Sequence, residues 1–507
     1  MTARSRPPVP EQQLTDQWIG GRWQASTAEA AIEVVDPSTE LRIATVPAGT
    51  AADADRAARA AAAAFDGWAA TPVPVRAKAL RRIVEGLTRR ADRFAELITA
   101  EVGAPVRVAR RTQVGLAIGM AAHSLDLLDG FAFERRIGNS LVVHEPAGVA
   151  ACITPWNMPL LLTVQKVLPA LAAGCTVVLK PSEITPLHAY LLTELIAEAD
   201  LPPGVFNLVV GTGPEAGAAL AGHPLVDTVS LTGSTRAGRD VAARGAATVK
   251  RVHLELGGKG ASVVLDEESL EDAVRATVDQ VCFNSGQSCL QWSRLLVPAR
   301  LEDEALALAV EAIADYRVGD PREESTDLGP LVSAAAMARV TGHISRGLAD
   351  GARLVAGGPG RPDGLDRGYF VRPTVFAGVS PDAALAQEEV FGPVLCVLPY
   401  QDEEDAVRIA NGTEYGLHSS VWAGRDRRAE RFARRLRTGL VDLNGGPFNP
   451  AAPFGGFKQS GLGRECGTAG LEAFLEVKSL QFPQDSGGPL GPRLKDTAPR
   501  TEERTSR

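Results

Sequence analysis

Cysteine is scarce in this chain: Cys152, Cys175, Cys282, Cys289, Cys396 and Cys466 are the six in 507 residues, and no two form a Cys-x-x-Cys pair. That scatter argues against a disulfide framework and a structural zinc site, and it predicts that most of these thiols are buried and free. No metal site is expected. A second absence is any uninterrupted apolar run near the ~18 residues that a membrane span needs. The opening stretch MTARSRPPVPEQQ is polar and Pro-rich rather than basic-then-apolar, so a cytoplasmic protein with no membrane partner is expected. Positive charge is not in excess either. Lys and Arg total 53 against 61 Asp and Glu, a formal net charge of −8, which offers no basic field for a nucleic acid.

What is present is a large globular chain, 45% hydrophobic and 22% charged, long enough for roughly three units of about 150 residues. Residues 1–12 and 484–507 are poor in apolar side chains and are expected to be disordered tails. Between 51 and 111, Ala-rich stretches such as AADADRAARAAAAAFDGW carry charges at helical spacing and predict amphipathic helices. From about 147 the texture changes to short β-branched runs (GVAACITPW, TVVLKPS, FNLVV, VDTVSLTG) alternating with helical stretches. This βαβα rhythm implies a parallel sheet covered by helices. A second α/β series follows RVHLELGGKGASVVLD at 251–266, and two strand-like pieces, 134–146 and 475–482, belong to neither lobe.

Three places suit a nucleotide. FNLVVGTGPEAG sets Gly211, Gly213 and Gly217 between a strand and a helix, but with one residue more than the dinucleotide fingerprint allows. In VSLTGSTRAG a strand ends at Gly233-Ser234 and a helix begins, which suits either a pyrophosphate or a plain N-cap. VVLKPSE delivers Lys180, Ser182 and Glu183 at the end of a buried strand, where open parallel sheets bind ligands; by itself it is also an ordinary turn. Cys289, after the Gly-Gln-Ser of FNSGQSC, has no adjacent histidine that would make a protease-type dyad. Glu255 in HLELGG reads equally as a salt-bridged or capping glutamate.

Set side by side, TPWNMP (154–159), KPSE (180–183), TGSTRAG (232–238), LELGGK (254–259), FNSGQSC (283–289), EEVFGPV (388–394) and PFGGFKQSGLGRE (453–465) resemble the aldehyde dehydrogenase superfamily in order and spacing, over about residues 15–482. The resemblance implies an α/β fold: a Rossmann-type cofactor domain from 13–126 and 144–254, and an α/β catalytic domain from 255–465. It adds a small β oligomerisation flap from 127–143 and 466–483, and hence a homodimer or homotetramer.

It further implies NAD(P)-dependent oxidation of a small-molecule aldehyde to a carboxylic acid through a thiohemiacetal and a thioester on Cys289. Asn157 and the Cys289 N–H would stabilise the oxyanion, and Glu255 would activate water. Lys166 and Glu465 match a water and proton path, with a structural salt bridge between them as the rival reading. Thr154, Pro155, Trp156, Lys180, Ser182, Glu183, Gly213, Gly217, Gly233, Ser234, Leu256, Glu389 and Phe391 match the cofactor site. Glu183 favours NAD, because a carboxylate near the ribose 2′ oxygen repels a 2′-phosphate; Lys180 keeps NADP open. Met158, Leu162, Gln165, Leu290, Phe448 and Phe454 match the aldehyde tunnel and favour an aliphatic or aromatic substrate, and the loop 441–456 holds no arginine for a carboxylate-bearing semialdehyde. Two rival functions are an acylating enzyme that passes the acyl group to coenzyme A, and a non-catalytic binding or structural protein of the same fold. Glu255 argues against the first and the assembled motifs against the second.

Overall fold

The computed structural model describes residues 12–483. The tails expected at 1–11 and 484–507 lie outside the described residues, whereas Gln12, assigned to the first tail, pairs with Ala44 in a short parallel ladder. The Ala-rich region forms three successive helices, Ala51–Ala69, Val73–Arg89 and Ala91–Val102. The first shows why alanine is used there. Its buried side chains Ala54, Ala57, Ala58 and Ala61 fall at helical spacing and let the helix lie close to the sheet beneath. A capping box between Thr50 and Asp53 starts it.

Two large sheets carry the architecture. The first runs in the order Gly461–Leu462, Arg251–Glu255, Thr228–Thr232, Val149–Ile153, Thr176–Lys180, Phe206–Leu208, Asp16–Ile19, Arg22–Ala25. Its five inner strands, from Arg251–Glu255 to Phe206–Leu208, are mutually parallel. The chain leaves Val149–Ile153 to one side for Thr176–Lys180 and returns on the other side as Thr228–Thr232. That reversal is a topological switch point, and the crevice beyond the carboxyl ends of these strands is where such sheets bind ligands. The second sheet has the order Arg353–Ala356, Thr374–Ala377, Val394–Tyr400, Arg294–Pro298, Ala261–Val264, His418–Trp422, Leu440–Leu443 and is parallel except at its first edge. Glu255 ends a strand of the first sheet and Ala261 begins one of the second, so the carboxyl edge of one sheet is joined by residues 256–260 to the amino edge of the other.

The two unattached segments pair with each other. Leu475–Gln481 runs antiparallel to Ser140–Pro146, which pairs in turn with Glu134–Ile137, and Ile137, Val477, Leu480 and Phe482 are exposed. Two strand ladders cross the expected segment boundaries. The boundary at 143/144 falls inside the strand Ser140–Pro146, because the ladder with Leu475–Gln481 continues to Pro146. Gly461–Leu462, from the segment expected to be catalytic, pairs with Leu254 and Glu255 in the first sheet. No helix among the described residues is long and apolar enough to cross a membrane.

Candidate active site

The FNSGQSC motif folds as a tight loop after the helix Leu270–Cys282. Asn284, Ser285 and Gly286 all have left-handed backbones, with φ of 51°, 57° and 75°. An asparagine tolerates this conformation and a glycine adopts it freely. Gly286 is also required by space, since a Cβ there would lie 2.1 Å from the Gly392 carbonyl carbon. Side chains pay for the strain in hydrogen bonds. Asn284 Nδ2 donates to the carbonyls of Asn157 and Gln287 at 3.0 and 3.2 Å, Gln113 Nε2 donates to Asn284 Oδ1 at 3.1 Å, and Gln287 Oε1 accepts from the Val332 N–H at 2.9 Å. Asn157 Nδ2 donates to the Gln287 carbonyl at 3.1 Å, which leaves its second amide hydrogen available. Cys289 emerges from this frame. Five of the six cysteines are buried, and Cys289 is the partly open one. Burial, followed by the nearby Glu389 and Glu255 carboxyls, pushes its thiol up to about 12, so a base must help to ionise it.

Glu255 supplies a carboxylate that is 3% exposed, with no hydrogen-bond partner on either oxygen. His253 Nε2 lies 3.6 Å away, and burial holds that imidazole down to about 4, hence neutral at physiological pH. Burial first, and then the charge of Glu465, raise the Glu255 carboxyl well above the usual range. Behind it Lys166, fully buried, makes a short ion pair with Glu465 and donates to Ser230 Oγ at 3.1 Å. Gln165 Nε2 donates to Cys466 Sγ at 3.2 Å.

The cofactor motifs gather at the switch point. Lys180 Nζ is 3.1 Å from Glu183 Oε2, at the end of the strand Thr176–Lys180, and the Thr154 N–H donates to the Lys180 carbonyl at 3.0 Å. Ser182 Oγ accepts from the Ile184 N–H and holds the turn between them. Ser234 caps the helix Thr235–Gly245, its Oγ accepting from the Ala237 N–H at 3.2 Å, so the plain capping role is filled while the hydroxyl hydrogen stays available. Gly233 links the same turn to the Glu255 carbonyl, and Leu256 packs so tightly on Gly238 that a Cβ there would lie 2.6 Å from it. Gly213 and Gly217 bound a single π-helical turn; Gly213 opens to free space and Gly217 lies over the Lys180 stem. Gly211, by contrast, has a packing reason, since a Cβ there would lie 2.5 Å from the Gly49 carbonyl oxygen. Glu389 Oε1 accepts from the Gly258 N–H at 2.9 Å, and burial raises its carboxyl to about 7. Phe391, left-handed at φ 57°, stands edge-on to Trp156 at 5.4 Å. Pro155 lies between Thr154 and Trp156 on the loop that leaves Val149–Ile153.

On the other side of Cys289 lies a cavity of about 470 Å³. Met158, Leu162, Gln165, Leu290, Phe448 and Phe454 all line it, together with Asn157 and Cys289. Phe448 and Phe454 meet edge-to-face at 6.0 Å. The nucleophile candidate thus lines an apolar cavity and lies near the Glu389 and Glu255 carboxyls.

A family model described as the aldehyde dehydrogenase family matches residues 23–480. The chain belongs to the aldehyde dehydrogenase family. It is 48% identical over 464 residues to 3-succinoylsemialdehyde-pyridine dehydrogenase from a Pseudomonas species, covering 91% of this chain and 97% of that relative. Among solved structures it is similar to a cysteine-to-alanine mutant of Pseudomonas syringae aldehyde dehydrogenase C in complex with NAD+ and octanal, with TM-score 0.91, 46% identity, and coverage of 95% and 98% of the two chains. A Mycobacterium tuberculosis aldehyde dehydrogenase complexed with NAD+ has TM-score 0.91 and 41% identity, with coverage of 94% and 99%. The chain is an aldehyde-oxidising, NAD(P)-dependent enzyme.

Motif reading of the aldehyde dehydrogenase sequence missed several residues that the fold brings to this site. Gln113 supports the nucleophile loop from the π-helix Ala109–Val114, and Leu116, Met120, Trp292, His418 and Asp442 join the cavity wall. None has a local sequence signal. The Lys166–Glu465 pair carries a testable energetic consequence. Replacing Lys166 with Met leaves Glu465 buried with no cation, which destabilises a protein by about 3–5 kcal/mol. A urea midpoint lowered accordingly is expected; an unchanged midpoint would mean that the buried pair adds nothing net to stability.

Proposed function

We propose that this chain oxidises a mainly apolar aldehyde to its carboxylic acid with NAD, and that water, not coenzyme A, releases the acyl group. The observation that carries this reading is the Glu255 carboxylate, buried and without a hydrogen bond on either oxygen, at the junction of the two sheets beside the Cys289 site. A carboxylate so placed has its lone pairs free for the proton of a water molecule. The chemistry follows from the residues. Cys289 loses its proton and its sulfur adds to the aldehyde carbon, the carbonyl electrons moving to an oxygen that faces the free amide hydrogen of Asn157 and the Cys289 N–H. When bound, NAD would supply the acceptor for the hydride this carbon loses as its carbonyl re-forms, which leaves a thioester on Cys289. Glu255 then removes a proton from water, whose oxygen adds to the Cys289 thioester; the carbon–sulfur bond breaks and the acid leaves. Lys166 and Glu465 lie behind Glu255 as a route for the proton.

The residues at the crevice suit the cofactor. Lys180 and Glu183 would hold the adenosine ribose, Ser234 and the exposed N–H groups of its helix a phosphate, and Glu389 the nicotinamide ribose. The open space over Gly213 admits backbone approach. Glu183 supports NAD over NADP, in line with the NAD+ complexes of the similar enzymes. The test is a panel of aliphatic and aromatic aldehydes followed at the reduced-nicotinamide absorbance, with NAD and NADP side by side and no coenzyme A. Free acid as product with NAD is expected; turnover that requires coenzyme A would overturn the hydrolytic reading.

Free thiols throughout the described chain support a cytoplasmic location. The sheet of Glu134–Ile137, Ser140–Pro146 and Leu475–Gln481, with Val477, Leu480 and Phe482 exposed at an outer strand, supports homo-oligomerisation by strand addition. A chain truncated after residue 470 should run as a monomer in light scattering; assembly like that of the full chain would remove this strand from the interface.

A further inference from the structure

His418 opens the strand His418–Trp422, and its ring is held among three groups on the wall of the aldehyde cavity. Nε2 lies 3.0 Å from Asp442 Oδ2 on the neighbouring parallel strand. Nδ1 lies 2.9 Å from the Leu290 carbonyl oxygen and 3.1 Å from Trp292 Nε1. Nδ1 therefore faces an acceptor and a donor and can serve one of them. Trp292 is 3% exposed, and an interior N–H without an acceptor is rarer and costlier than a carbonyl short of a donor. The arrangement that leaves no buried donor unpaired puts the ring proton on Nε2, donated to Asp442, with Nδ1 accepting from the Trp292 indole. His418 then orients the Asp442 carboxylate through the Nε2–H it donates. The second oxygen of Asp442 receives no hydrogen bond among the described residues.

The rest of the wall sharpens this. Among the described residues, Asp279 is the other acidic one on the lining, and no lysine or arginine lines the cavity. Outside it, Arg107, which pairs with Asp327, and Arg111, exposed on the π-helix Ala109–Val114, line a surface depression that shares Thr112, Asp279 and Phe283 with the cavity. A tail ending in a carboxylate would be desolvated beside Asp442 with no cation inside to meet it, whereas a hydroxyl finds an acceptor and a cationic group finds an opposite charge.

We propose that Asp442, oriented by His418, determines substrate choice in this cavity, favouring aldehydes whose tail carries a hydroxyl or a positive charge over those ending in a carboxylate. The inference rests on the aldehyde-oxidising reading. It is tested with aldehydes of octanal's length ending in methyl, hydroxyl, trimethylammonium or carboxylate, on the wild type and on Asp442→Asn, which keeps an oxygen for His418. For the wild type, kcat/KM for the hydroxyl and trimethylammonium tails should exceed that for the carboxylate tail by about 10²-fold, and Asp442→Asn should shrink that ratio by about tenfold or more, chiefly through KM. Ratios are compared so that a general loss in the variant cancels, and the wild-type order alone can refute the idea. A wild type that prefers the carboxylate tail would assign selection to Arg111 instead. An unchanged ratio in Asp442→Asn overturns the role of Asp442 while oxidation of the methyl-terminated aldehyde leaves the enzyme reading intact; no oxidation of any of the four would overturn both.

Discussion

Cys289→Ala should abolish aldehyde oxidation, lowering kcat by roughly 10⁴–10⁶-fold, the range seen when the bond-forming atom of a covalent mechanism is deleted. Cys282→Ala, only seven residues earlier in sequence, should keep most of its activity. Cys282 ends the helix Leu270–Cys282 at 1% exposure and packs into the hydrophobic interior, so losing its sulfur removes packing and no chemistry. The contrast extends to labelling. Iodoacetamide should modify Cys289 first because the other five thiols are buried. With its thiol pushed up to about 12 by burial and the nearby carboxyls, the labelling rate of the free enzyme should keep climbing through the alkaline range, where an unperturbed thiol would already level off. Mass spectrometry of the alkylated protein checks both statements. Faster modification at Cys282, with loss of activity tracking it, would mean that the nucleophile has been misassigned.

The local motifs were legible in the sequence because the chemistry and the backbone make their demands within a few residues. Asn284, Ser285 and Gly286 are written together because three left-handed residues in a row need an asparagine and a glycine, and Lys180 and Glu183 stand three apart because one strand end delivers both. The six tunnel positions taken from the resemblance all reached one cavity. What stayed hidden depends on contacts between distant segments. Lys166 and Glu465, 299 residues apart, are linked beforehand only through the resemblance, and their burial as an ion pair is set by how the helix Pro159–Ala173 lies against the chain returning from the second sheet. His418 and Asp442 sit 24 residues apart on neighbouring strands, with register alone bringing the ring to the carboxylate. Short cross-sheet pairings stayed hidden for the same reason. A two-residue strand such as Gly461–Leu462 has no periodicity to detect, and it joins the first sheet only because Leu254 and Glu255 present an unpaired edge.

Glu255→Gln separates the two halves of the reaction. The amide is nearly isosteric, so the Asn157 amide, the nucleophile loop and the cofactor crevice stay as they are, and the steps up to the thioester should proceed. Release of the acid should not, because an amide cannot take a proton from water. General-base assistance contributes ~10²–10⁴-fold, so steady-state turnover should fall by that factor while reduced cofactor still appears as a burst equal to the active sites. The pH dependence supplies the sign. Burial and the Glu465 charge raise the Glu255 carboxyl well above its usual range; below its pKa it is protonated and cannot act, so wild-type turnover should rise with pH through that region. Glu255→Gln should lose this limb. If Glu255 also takes the Cys289 proton, the burst in the variant slows and recovers at high pH as the thiol ionises unaided, whereas a burst at the wild-type rate confines Glu255 to deacylation. Undiminished steady-state hydrolysis would remove Glu255 as the base and transfer that role to Glu465, the other buried carboxyl of the site with an unpartnered oxygen.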